Sequence, residues 1–217
     1  MSGSITLENR FGVNKMELIS LKYAIFVIVL LVLYYCFPKK YRWYVLLAGS
    51  MAYYVIICKW YVLFIIFTIC TTYGSTIWID KLLKKQNAIV KSHKEDWDRQ
   101  TRKDYKEKGR KKRVAVMLFA LLCNFGILAF LKYIPYAGEL GLLLPLGISF
   151  YTFQSMGYVM DVYREIVEPE KNFLKVALFV SFFPQIIQGP IAIYDKLAGQ
   201  LYEGHSLRLE NLQKGAL

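Results

Sequence analysis

The sequence predicts an all-α protein, a polytopic transmembrane helical bundle with one or two broken or re-entrant helices. Three observations carry that expectation. Apolar residues make up 56% of the chain, above the roughly 45–50% of an ordinary soluble domain. Six apolar runs approach the ~20 residues that a helix needs to cross the hydrocarbon. Most of the net charge of +12 is concentrated in one stretch between those runs.

The runs cover residues 18–37, 43–58, 60–79, 114–131, 140–160 and 176–194. The first holds Lys22 near its start, where a long cationic side chain reaches back to the headgroups. It is longer than a signal-peptide core and is followed by Pro38-Lys39-Lys40 rather than a small-residue cleavage site, so it reads as a retained anchor. Trp43, Tyr44, Trp60 and Tyr61 stand at the expected span ends, where amphipathic rings favour the membrane interface.

Residues 80–113 hold 14 basic against 6 acidic residues and so supply +8 of the net charge. The positive-inside rule makes this stretch cytoplasmic. Counting spans from it puts the Lys39-Lys40-Tyr41-Arg42 turn inside, the N-terminus outside and the loop 161–172 inside, in a multi-pass protein of the cell membrane. The basic stretch, with Trp97 and Tyr105 among its charges, is expected to form a helix lying against the inner leaflet. A place beside the membrane explains Arg110-Lys111-Lys112-Arg113 without a nucleic-acid partner.

Cys36, Cys58, Cys70 and Cys123 all lie in apolar runs with no CxxC spacing, and read as packing residues rather than metal ligands or disulfide partners. His93 falls in the basic stretch and reads as solvated. His205, in the polar tail, has only Glu203 and Ser206 beside it and makes no catalytic constellation.

The last two runs are irregular. Residues 140–160 mix Pro145, Gly147, Ser149, Thr152, Gln154 and Gly157 into an otherwise apolar stretch, and small and hydroxyl residues let helices approach closely. Residues 176–194 carry Pro184 and Pro190, each removing a backbone donor. Backbone broken at membrane depth survives only where protein or water surrounds it, so this run should line a cavity or re-enter the membrane. Gln185 and Gln188 would share one helical face that points inward. Two readings of these amides and of Gln154 stand side by side: hydrogen bonding between helices, or contact with a polar substrate.

At these two runs the chain resembles the membrane-bound O-acyltransferase family, in the bacterial branch of alginate O-acetyltransferase and the D-alanyl transferase of teichoic-acid modification. The residues are Pro145-Leu146-Gly147-Ile148-Ser149-Phe150-Tyr151-Thr152-Phe153-Gln154, Asp161-Val162-Tyr163-Arg164, Phe182-Phe183-Pro184-Gln185 and Gly189-Pro190-Ile191, with weaker likeness before residue 114. The resemblance implies transfer of an acyl group, acetyl in the first instance, from a cytoplasmic thioester to a hydroxyl of a cell-envelope polysaccharide. The donor would be acetyl-CoA or an acyl carrier protein, with accessory export or acetylation proteins as further partners and no bound cofactor.

The resemblance places the family's essential histidine in a later apolar segment with no counterpart in this sequence, so no catalytic residue is assigned. Residues 1–217 are accordingly expected to be the N-terminal portion of one membrane acyltransferase domain, inactive by itself. Gln154, Gln185, Gln188, Gly189 and Pro190 are the candidates for shaping its reaction chamber. A transporter or channel-like subunit would use the same broken segment, although no inverted repeat and no charge within the uncharged runs supports it. An inactive scaffold whose basic stretch recruits a partner or anionic lipid is the third reading.

Overall fold

The computed structural model describes residues 21–93, 96–133, 147–188 and 193–204. Among them the chain is helical and has no strand, as apolar segments in lipid must be when each closes its own backbone hydrogen bonds. Helix α1 (Leu21–Cys36) stops just before Pro38, and one 3-10 turn (Lys39–Tyr41) leads into α2 (Arg42–Cys58). Arg42 fixes this corner. Its Nε donates to the Phe37 carbonyl at 3.0 Å, and its guanidinium lies 5.2 and 5.1 Å from the Tyr34 and Tyr35 ring centres. Gly49 lets the two helices touch, since a Cβ there would fall 2.4 Å from Leu30 Cδ1.

A second 3-10 turn (Lys59–Tyr61) opens α3 (Val62–Ser92), which is followed by α4 (Arg99–Tyr133). These two helices are long and apolar enough to cross a membrane. At 1.5 Å per residue they measure about 46 and 52 Å, against a hydrocarbon core of about 30 Å. Each therefore runs on beyond a bilayer, and the basic stretch 80–113 is the continuation of both.

The structure differs from the expected separate surface-lying helix: residues 80–92 continue α3 and residues 99–113 open α4, each without a break in the helix. No glycine or proline interrupts residues 80–93, and contacts between the two arms hold them together. The Gln86 side chain donates to the Lys106 carbonyl at 2.9 Å, and its own carbonyl accepts from Arg113 Nη1. Near the tip the His93 ring stacks on Trp97 at 4.9 Å, and Trp97 meets Tyr105 at 5.1 Å.

Within the apolar half, Asn124 Nδ2 donates to Thr71 Oγ1 and to the Ala120 carbonyl, both at 2.9 Å, and so ties α4 to α3. Helix α5 (Ile148–Tyr163) packs against both and buries Tyr151, Met156, Tyr158 and Val159. The outward faces are apolar too, with Ile28, Ile56, Phe119 and Leu122 all between 59% and 72% exposed. An apolar belt of this kind is what lipid covers. Trp43, at the start of α2, is buried in the protein core and stacked on Tyr44 at 3.6 Å.

The run 176–194 is divided among three short helices, α6 (Phe173–Ser181), α7 (Phe183–Gln188) and α8 (Tyr194–Tyr202). Asn172 caps α6, its side chain accepting from Leu174 N at 3.0 Å. Helix α8 returns beside α6. Tyr194 meets the Phe179 ring at 4.9 Å, and one helix length on, the Tyr202 hydroxyl donates to the Lys175 carbonyl at 2.8 Å. Gly204 then lies so close to Lys39 that a Cβ would fall 2.7 Å from its carbonyl oxygen.

Helix α8 thus runs back along α6 and brings residue 204 to the α1–α2 corner, the arrangement expected of a re-entrant hairpin. Single cysteines placed at Lys39, Lys103 and Lys196, in a background without the four native ones, should all react with an impermeant thiol reagent from the same side. Labelling of the Lys196 position from the opposite side would overturn the hairpin.

Candidate functional site

The deepest irregularity is the break between α6 and α7. Phe182 has ψ 103°, which ends α6 and turns the chain. In a continuous helix the Phe179 carbonyl would accept from Phe183 N, and the Val180 carbonyl would face Pro184, which has no N–H. Phe183 N instead faces Ser50 Oγ on α2, at a long 3.5 Å. The Phe179 carbonyl is met by Gln154 Nε2 on α5 at 2.9 Å, with Gln154 only 3% exposed. Pro184 sits in the first turn of α7, where a missing donor costs nothing.

The ring of Phe183 is locked among aromatic side chains of α1 and α2, 5.5 Å from Phe26 and 5.3 Å from Tyr53. From the other side comes the start of α5. Gly147 has φ +70°, and a Cβ there would fall 2.0 Å from Ile186 Cγ2 and 2.8 Å from the Ile186 carbonyl oxygen. Only glycine combines that conformation with that approach. The two irregular runs of the sequence thus meet at one place.

Gln185, on the same short helix, keeps a buried side-chain oxygen that finds no hydrogen-bond partner among the described residues. A buried carbonyl of this kind recognises a hydroxyl or an amide that brings its own proton. Gln188 belongs to α7, but its side chain lies outside the described residues, as do Gly189 and Pro190. Pro145 and His205 also lie outside them. Among the described residues no three His, Cys, Asp or Glu side chains gather as metal ligands.

The sequence grouped Gln154 with Gln185, whereas the structure separates them: the first completes a broken helix and the second remains open. Ser50 and Asn124 were not singled out. Each is a lone polar side chain in an otherwise apolar run next to small or apolar neighbours, and that is the signal that could have found them.

The sequence comparisons agree with the motifs. The chain is similar to bacterial O-acetylases. The probable alginate O-acetylase AlgI of Pseudomonas syringae is 40% identical over 74 residues, covering 34% of this chain and 14% of that protein. The Pseudomonas aeruginosa protein of the same name is 46% identical over 59 residues, 27% of this chain and 11% of that protein. The peptidoglycan O-acetyltransferase of Helicobacter pylori is 30% identical over 137 residues, 46% of this chain and 26% of its own length. The chain thus spans well under a third of the length of these relatives. No family model matches, and no solved structure does.

Proposed function

We propose that this chain forms part of a membrane O-acyltransferase that moves an acyl group, acetyl in the first instance, from a cytoplasmic thioester to a hydroxyl of a cell-envelope polysaccharide. The observation that carries the proposal is the similarity to O-acetylases whose names specify alginate and peptidoglycan. In the transfer the acceptor oxygen bonds to the thioester carbonyl carbon, the carbon–sulfur bond breaks, and the acceptor's proton passes to the departing thiolate through a base. No residue of this chain is assigned as that base.

The role proposed for the break is architectural and orienting. Gln154 holds the interrupted helix in place, and Gln185 offers its open oxygen to a polar group of donor or acceptor, where an unpaired acceptor discriminates most strongly. The basic hairpin is placed on the cytoplasmic side by the positive-inside rule. A re-entrant arrangement would keep residue 204 on that side with it.

The protein, as its gene encodes it, would be reconstituted in liposomes with an oligosaccharide acceptor and labelled acetyl-CoA or labelled acetylated carrier protein. Alkali-labile label on the glycan is the expected result. Absence of transfer from every thioester donor tried would sink the proposal.

A further inference from the structure

Where α3 and α4 leave the apolar region, a cavity of about 420 Å³ opens between them and the loop after α5. It is lined by Leu83, Gln86, Asn87, Lys106, Glu107, Arg110, Arg113 and Glu165. Its height follows from the sequence. Arg113 immediately precedes Val114, where the uncharged run begins, and Arg110 and Lys106 lie about 4.5 and 10 Å further out along the helix. The polar headgroup layer adds about 5–7 Å on each side of the hydrocarbon. The three cations therefore span the headgroup layer and the water next to it.

The lining carries three cations, Lys106, Arg110 and Arg113, against two carboxylates, Glu107 and Glu165. Glu107 is engaged by Lys111, which lies outside the lining, at 3.0 Å. That hydrogen bond from Lys111, with the charges of Lys111 and Arg110, holds the Glu107 carboxyl below its ordinary range. Neither Lys106 nor Arg110 has a carboxylate within 4 Å among the described residues. Glu165 alone faces Arg113, and only loosely, at 3.9 Å.

Arg113 is itself under-used. Its side chain is 11% exposed, and one Nη donates to Gln86. Its buried Nε has no acceptor among the described residues, and the 3.9 Å to Glu165 is too long for a hydrogen bond. A guanidinium carries five N–H donors in a fork that fits a phosphate. Glu165 is held opposite it by a left-handed backbone with φ +63°, a conformation that few non-glycine residues adopt.

We propose that this cleft binds a phosphate group at the membrane surface, with Lys106 and Arg110 as direct ligands and Arg113 as the recessed donor behind them. The chemistry is shared by an anionic phospholipid headgroup and a soluble phosphate. The inference is independent of acyl transfer and stands whether or not that activity is found.

The test compares two double variants with the same change of charge on one helix. Lys106→Ala/Arg110→Ala strips the cleft, while Lys108→Ala/Lys112→Ala removes two exposed cations that neither line it nor pair with a lining residue. All four residues are exposed, so folding is not at stake. Protein in nanodiscs of phosphatidylcholine with a minority of phosphatidylglycerol is released into the gas phase, and retained lipid is counted by native mass spectrometry. A separate arm measures the shift in melting temperature on titrating inorganic phosphate in detergent.

The cleft double should lose retained phosphatidylglycerol by about five-fold or more for each cation, the scale of one basic side chain at an anionic surface. The neighbouring double should retain it. Stabilisation by inorganic phosphate that is lost in the cleft double, without selective lipid retention, would keep the site and assign it to a soluble phosphate. Equal behaviour of the two doubles in both arms would show bulk charge alone and overturn the proposal.

Discussion

Replacing Gly147 with alanine is expected to remove most of the folded protein from the membrane. Two costs add at this position. A non-glycine residue in the left-handed region costs about 1–2 kcal/mol. Forcing a methyl into a filled space costs typically another ~1–3 kcal/mol through shifted side chains and backbone. The second is at its upper end here, because part of the obstruction is the Ile186 carbonyl, at 2.8 Å from the new atom, and backbone cannot swing aside. Thermal unfolding of a fluorescent fusion followed by size exclusion would show the loss. A melting temperature within a degree or two of the parent protein would mean that α5 and α7 do not touch as described. Gly157, on the same helix with open space beside it, is the natural control.

Gln154→Leu and Gln185→Leu should behave in opposite ways although both remove a side-chain amide near one break. Leucine at 154 leaves the Phe179 carbonyl without its partner, and a stranded buried acceptor costs about 1–3 kcal/mol. Leucine at 185 deletes a buried oxygen that has no partner among the described residues, which should leave stability unchanged or raise it. If the proposed function holds, activity should fall in both, through loss of folded protein in the first and at full protein level in the second. A marked loss of stability in the Gln185 variant would make that residue another structural amide and remove it from the site.

How far the sequence could be read depended on the range of the forces involved. Long uncharged runs announce a bundle because the bilayer acts on every residue of a span alike, and α3 and α4 are where that signal is strongest. Charge announced the basic stretch, but not its shape. That the two arms of this stretch pair with each other is decided by cross-contacts such as Gln86 with Lys106 and Arg113, and pairings 20 and 27 residues apart leave no local pattern.

Pro184 likewise announced a broken helix near its true position. It did not show that Ser50, 133 residues earlier, would face the freed Phe183 amide. The two roles of the glutamines could not be separated in the sequence, since an amide facing a broken carbonyl and one facing open space are the same letter. Trp43 shows that position along a helix does not fix which way a ring faces. An aromatic-rich composition places a tryptophan in contact with lipid headgroups, but here Trp43 is part of the main buried core.

The re-entrant hairpin also has a consequence for biosynthesis. Residues before it, Glu170, Lys171 and Lys175, and residues after it, Asp195, Lys196 and Glu203, are charged. A lysine at the centre of an inserting helix costs about 2.5–3.5 kcal/mol during translocation. Because the chain comes back to the end from which it entered, none of these charges has to be threaded through the bilayer. Insertion of α6 to α8 can follow the spanning helices rather than accompany them. Such an order would set the spanning helices first and then seat α6 and α7 against Ser50, Gln154 and Gly147.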